Sequence, residues 1–219
     1  CRPDRGPPLP AQDAGRRALD VYDWLGVRPG MVVADVFSAG GYNTHLLALA
    51  LADDPASRVY AVAGGVVADT IHERFGLDFR ASTNGRIESA GLDNASLVET
   101  VADLPSGGVD VIVSIRKFHD YDEFGGDSEV AAREMFAALR PGGILGIEEV
   151  ATSRPGWDAD THRLNERVVI ETLTAAGFEL VGRSHLLHEP GDDHTTTGFD
   201  RGRHLMDRYL LKFQKPRDE

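Results

Sequence analysis

Three observations predict an α/β domain built on a doubly wound sheet of about seven strands, mostly parallel, with an antiparallel hairpin at its carboxyl-terminal edge. Valine-rich apolar runs, Met31 to Val36 and Val109 to Ile115, read as buried parallel strands. Segments with apolar residues at helical spacing alternate with such runs. The first run passes through Phe37-Ser38-Ala39-Gly40-Gly41 into Tyr42, Leu46, Leu47 and Ala50, so a strand enters a glycine turn and then a helix. In an open α/β sheet this places backbone N–H groups and the positive end of a helix dipole at the carboxyl edge, where nucleotide-like ligands bind. Asp35 ends that strand, placed to meet a ligand's polar group.

Composition narrows the function classes. The 219 residues carry a formal charge of −12 with only 23 Lys and Arg, scattered, which excludes a sequence-independent grip on nucleic acid and points to a small molecule. No apolar run is long enough to cross a bilayer, so no integral membrane segment is expected. The single cysteine, Cys1, excludes an internal disulfide framework and a thiolate-cluster metal site. A chain that starts at Cys1 and continues through the Pro-rich stretch Arg2 to Pro10 has the form of a mature bacterial lipoprotein. On that reading residues 1–10 are a flexible tether to a membrane surface through lipidated Cys1, and residues 11–219 are one domain in the cell envelope or periplasm. The alternative is a fragment boundary at Cys1 and a cytoplasmic protein.

In chain order, Ala14, Ala18, Val21, Tyr22 and Leu25 mark one face of a helix over Ala11 to Leu25, ended by Gly26. Asp13, Arg16 and Arg17 lie on it. After the glycine turn and its helix, Arg58 to Val62 is the second strand and Val66 to Phe75 the next helix. Arg86 to Ser89 is the candidate third strand. The stretch from Ala90 to Gly108 is a polar connection, weakly helical around Leu97 to Leu104, with Asp93 and Asn94 as turn residues. Val109 to Ile115 is the fourth strand, and Arg116-Lys117-Phe118-His119-Asp120-Tyr121 follows it at the carboxyl edge. An imidazole beside a carboxylate, with a guanidinium three residues away, offers a general base, its orienting partner and an anion anchor. A helix over Ser128 to Leu139 leads into strand Ile144 to Val150. A helix from His162 to Ala176, strand Phe178 to Leu187, an irregular acidic loop to Gly202 and strand His204 to Phe213 complete the chain, the last two strands forming the hairpin. His185, His188, His194 and His204, with Asp192 and Asp193, match no metal-ligand spacing, so no metal site is assigned.

Together, the acidic strand end and glycine turn, the alternation of strands and helices, the segment Leu139-Arg140-Pro141-Gly142-Gly143-Ile144-Leu145 and the closing hairpin resemble a class I S-adenosylmethionine-dependent methyltransferase with a Rossmann-like sheet. More narrowly the chain resembles a group of bacterial predicted methyltransferases, many with export signals. That group carries an arginine and a His-Asp or His-Asn after the fourth strand, a His-Arg pair before the following helix and an Asp-Arg in the last strand. Here these are Arg116 with His119 and Asp120, His162 with Arg163, and Asp207 with Arg208. The resemblance covers roughly residues 11–216.

It implies methyl transfer from S-adenosylmethionine to a small molecule. The cofactor would lie over Asp35, Ser38, Ala39, Gly40 and Gly41. His119 would serve as base or orienter with Asp120 setting its tautomer, and Arg116 would orient an anionic group of the acceptor. Two departures stand out. The family's three-glycine turn is Phe37, Ala39 and Gly41 here, so the Phe37 side chain is expected to point away from the cofactor. The strand tip that normally carries a ribose-binding carboxylate is Ala63-Gly64-Gly65, which removes an interaction of about 1.5 to 3 kcal/mol. These departures keep open an alternative, a non-catalytic ligand-binding protein that has lost the cofactor, and a further one, different chemistry using the His-Asp pair.

Overall fold

The computed structural model describes residues 15–197 and 205–217. The expected tether over residues 1–10 with Cys1, the start of the first helix with Asp13, and His204 lie outside the described residues. In chain order the elements are α1 (Ala18–Leu25), β1 (Val32–Val36), α2 (Tyr42–Ala50), β2 (Arg58–Val62), α3 (Gly65–Phe75), α4 (Phe79–Ala90), β3 (Ala95–Val98), β4 (Val109–Ile115), α5 (Asp120–Glu123), α6 (Ser128–Ala138), β5 (Leu139–Val150), β6 (Trp157–Asp158), β7 (Arg163–Leu164), α7 (Glu166–Ala175), β8 (Glu179–Ser184) and β9 (Arg208–Gln214).

Alternation along the strands divides the core. Ala34, Val36, Ile112, Leu145 and Ile147 face a layer made by α6 and α7, where Ala131, Ala132, Met135, Val169 and Leu173 meet them. Val33, Val59, Val111, Val113 and Leu210 point the other way, onto Val21, Leu25, Leu47 and Leu51 of the α1 and α2 side. Both faces of the central strands are covered, which is why the strands read as continuous apolar runs.

The sheet has seven strands in the order β3-β2-β1-β4-β5-β9-β8. Strands β1 to β5 pair in parallel, while β9 runs antiparallel between β5 and β8. The expected hairpin is present, with its second strand inserted against β5. The order reverses between β1 and β4, so their carboxyl ends flank the crevice where such sheets bind ligands. A third apolar cluster, Phe37, Val67, Ala68, Ile71 and Phe124, lies above that edge and seats α3 over it.

Three expectations are corrected. Arg86 to Ser89 is not a strand but the last part of α4, which Asp78 caps by accepting from the Ala81 N–H at 2.9 Å and Gly91 ends in the left-handed region at φ 60°. A helix with Thr83 as its buried residue has almost no apolar stripe, so its four-residue alternation misleads. The third strand is Ala95–Val98, an edge strand that is only partly buried. In the Leu97 to Leu104 stretch only Val101–Asp103 is helical, as a single 3₁₀ turn. The helix expected from His162 starts at Glu166, where Asn165 accepts from the Arg167 N–H, and residues 157–164 form the two-stranded β6–β7 sheet instead. Asn94 is the turn residue expected, fastened by its side-chain amide to the Ala48 carbonyl at 2.9 Å.

Gly146 makes the contact between α1 and the sheet close, because a Cβ there would overlap the Leu25 side chain. Gly146→Ala is therefore expected to destabilise by about 1–3 kcal/mol. In a Leu25→Ala background, where the space is open, the same change should cost clearly less. Urea unfolding of the two single variants and the double variant measures the coupling.

Candidate functional site

Two adjacent residues near the end of β5 build the site. Alternation sends Glu148 toward the α1 side of the sheet and Glu149 toward the α6 side. Both are buried, at 2% and 1% exposure, so each carboxylate must find partners within the protein. Glu149 Oε1 accepts from the Phe118 N–H at 2.7 Å, and its Oε2 lies 2.9 Å from His119 Nδ1. Glu148 Oε1 accepts from Arg208 Nη1 at 2.8 Å and stands 3.5 Å from Arg116 Nε. Arg116 itself sits in the left-handed region at φ 56°, bending the chain sharply as it leaves β4.

His119 is packed on every side. Its ring stacks on Trp157 at 4.5 Å between centroids, and its Nε2 lies 2.9 Å from His162 Nε2 and 3.0 Å from Asp120 Oδ1. Burial disfavours the charged imidazole, but the carboxylates of Glu149 and Asp120 outweigh it and raise His119 to about 9. Burial also works to raise Asp120, yet Lys117 and His119 hold it well below the usual carboxylate range. Lys117 Nζ lies 3.2 Å from Asp120 Oδ2. The carboxylate that meets Nδ1 and orients the ring is Glu149, whereas Asp120 meets the other ring nitrogen.

Sequence reasoning missed Glu148, Glu149 and Trp157. A carboxylate pair at the end of an apolar strand, Ile147-Glu148-Glu149-Val150, was the available signal. Of the residues that carried the narrower resemblance, some gather at the carboxyl edge and the others do not. Arg116, His119, Asp120 and His162 meet at the edge, and Arg208 reaches it through Glu148. The partners of two of them form a second network: fully buried Arg163 forks onto Asp192 at 2.8 and 3.0 Å, and the Asp207 N–H donates to the same carboxylate. His188 and His194 both contact Asp207, at 2.8 and 3.1 Å. These loop residues thus bind one another and the fold.

The glycine turn is closely held from outside. The Thr83 hydroxyl donates to the Ala39 carbonyl at 2.7 Å and Arg86 Nε to the Gly40 carbonyl at 2.8 Å. The Ser38 N–H donates to the Val62 carbonyl, and Ser38 Oγ lies 3.4 Å from Thr83 Oγ1. A Cβ at Gly41 would sit 3.2 Å from the Thr83 backbone, and its φ of 71° further favours glycine. Asp35 is buried and accepts from the Thr44 hydroxyl at 2.7 Å. A cavity of about 360 Å³ runs between Phe37, the tips of β2 and β3 at Gly64 and Thr100, and the segment Tyr121 to Glu134; Asp35, Ser38, Ala39, Gly40 and Gly41 are not among the residues that line it. Phe37 is among the residues lining this cavity, its ring edge-on to Phe79 at 5.6 Å. Beside the carboxylate-free tip of β2 stands the Glu99 carboxylate, ion-paired with Arg80 at 2.7 Å. A Cβ at Gly64 would overlap it, so glycine makes room for the acid of the neighbouring strand.

The buried carboxyl of Asp35 yields a prediction. Burial raises it to about 7, against the opposing Thr44 hydrogen bonds. The folded chain thus keeps a proton that the unfolded chain releases near pH 4, so this group's stabilisation is full below about pH 4 and is lost as pH rises toward 7. Asp35→Asn should flatten the decline in stability over that interval, measured by urea unfolding at a series of pH values.

No family model matches the chain, and no curated protein matches it. Solved structures do. A SAM-dependent methyltransferase from Aquifex aeolicus is 16% identical, with 94% of each chain covered and a TM-score of 0.68. The cyclase SpnF is 19% identical over 99% of this chain and 86% of its own, also at 0.68. The 1,6-didemethyltoxoflavin-N1-methyltransferase of Burkholderia thailandensis, solved with 1,6-didemethyltoxoflavin and S-adenosylhomocysteine bound, is 18% identical over 94% of this chain and 79% of its own, at 0.60. The fold of the chain is that of the class I SAM-dependent methyltransferases.

Proposed function

We propose that the protein transfers a methyl group from S-adenosylmethionine to a small-molecule acceptor. The observation that carries this reading is the cavity of about 360 Å³ at the carboxyl ends of β1, β2 and β3, walled by Phe37, Val62, Val67 and Val101. Its size suits a nucleoside-sized ligand, and its apolar walls suit a base. When bound, the cofactor supplies an electrophilic methyl group on a sulfonium.

Phe37, where the turn begins, lines this cavity, and Ser38, Ala39, Gly40 and Gly41 carry the chain on into α2, which Asp35 fixes through Thr44. Glu99, beside Gly64 with Oε2 held by Arg80, offers its other carboxylate oxygen where Ala63 has none for a ribose hydroxyl. On the other side of the crevice, Arg116 and Arg208 share the single carboxylate of Glu148. Arg116, beside Arg16, Tyr42 and Asn43, is the residue we assign to orienting an anionic group of the acceptor. His119, held by Glu149 and Trp157, orients this edge, and alignment of the reacting groups supplies much of the barrier reduction in such displacements. The narrower likeness to the exported bacterial group is supported by the convergence of Arg116, His119, His162 and Arg208 on one edge.

Calorimetric titration with S-adenosylmethionine and S-adenosylhomocysteine tests the reading. Micromolar binding is expected. Glu99→Gln should weaken it about tenfold, the effect of losing a charge-assisted hydrogen bond. Val130→Trp, on the exposed rim of the cavity, should abolish it without lowering the melting temperature. Absence of heat and of thermal stabilisation at millimolar ligand would overturn the proposal in favour of a binding protein for another ligand.

A further inference from the structure

Four side chains at the carboxyl edge offer one ligand atom each within 4.8 Å of one another: His119, Asp120, Glu123 and His162. They come from two separate pieces of chain, the turn after β4 with α5 and the loop before β7. We propose that they hold a divalent transition-metal ion of the zinc type, with Glu149 as the outer partner of His119.

The donor set points to this class of ion. Two imidazoles and two carboxylates suit zinc and its borderline neighbours, whereas magnesium and calcium prefer oxygen alone. Each inner group is also supported from behind. Glu149 occupies Nδ1 of His119, which directs Nε2 into the cluster and is the outer arrangement typical of metal-bound histidine. Lys117 takes Oδ2 of Asp120, leaving Oδ1 facing inward. The two imidazole Nε2 atoms approach to 2.9 Å, so a ligand placed there meets both nitrogens together. Trp157, stacked on His119 and edge-on to His162, fixes both rings. Glu123 is the least buried of the four, its side chain 28% exposed.

An ion here displaces the proton shared among these groups and ties α5 to the β6–β7 sheet. Because Tyr121, within α5, walls the cavity described above, the ion would also brace that wall. This inference does not depend on the methyltransferase reading.

The test uses the full chain, treated with chelator and titrated with Co²⁺ and Zn²⁺. One Co²⁺ per chain should bind with visible d–d absorption and be displaced by Zn²⁺, while Mg²⁺ and Ca²⁺ leave the spectrum unchanged. In a Trp24→Phe background, Trp157 is the remaining tryptophan of the chain's two and should be quenched by Co²⁺ in step with the absorption. Glu149→Gln should weaken binding about 10- to 100-fold. His162→Gln should abolish the absorption, and Glu123→Gln, an exposed-rim change that leaves folding intact, should weaken it. No stoichiometric uptake, or uptake unchanged in both His162→Gln and Glu123→Gln, overturns the proposal. S-adenosylhomocysteine binding, measured on the same metal-free samples, reports separately on the methyltransferase reading.

Discussion

Two carboxylates buried side by side near the end of a central strand are the constraint on which the carboxyl edge depends. A buried charge without partners costs several kcal/mol, so Glu148 and Glu149 have to be met by donors. Strand alternation decides which donors: Glu148 faces two guanidiniums, and Glu149 faces an imidazole and the backbone N–H of Phe118. The sharp left-handed bend at Arg116 follows, because the chain leaving β4 must turn back over β5 to deliver those donors. The cost of burying the acids is offset by fixing the position of every residue from Arg116 to Asp120.

The tips of β2 and β3 show the same logic of substitution between strands. β2 ends without a carboxylate, yet Gly64 leaves the space that Glu99 of the next strand's tip fills. α3, seated by the Phe37, Ile71 and Phe124 cluster, roofs the crevice that a bare glycine turn would leave open. Phe37 serves both purposes, as a ring in that cluster and as a wall of the cavity. A turn that departs from three glycines is thus compatible with a ligand cavity, because the departure supplies apolar wall in place of backbone.

The loop before β9 is built around a different pair. Arg163, fully buried, is paired with Asp192, and Asp207 gathers the N–H of Glu189 together with His188 and His194. Histidines that look like metal ligands by their density in sequence are engaged here in holding the loop. The histidines that do converge, His119 and His162, lie 43 positions apart and have no shared spacing to betray them.

The sequence by itself determined the doubly wound architecture, the glycine turn at its centre and the edge that carries Arg116, His119 and Asp120. Those features rest on local periodicity: two-residue alternation, continuous apolar runs and helical spacing, all carried by neighbours along the chain. It misplaced β3 because an edge strand and a nearly stripe-free helix both lack that periodicity. Only the tertiary structure decided that Glu149, and not Asp120, meets Nδ1 of His119, that Glu99 stands in the place left by Gly64, and that His162 meets His119. Each of these is a contact between strand ends or loops far apart in sequence. Their partners are chosen by the register and order of the sheet, which no local pattern encodes.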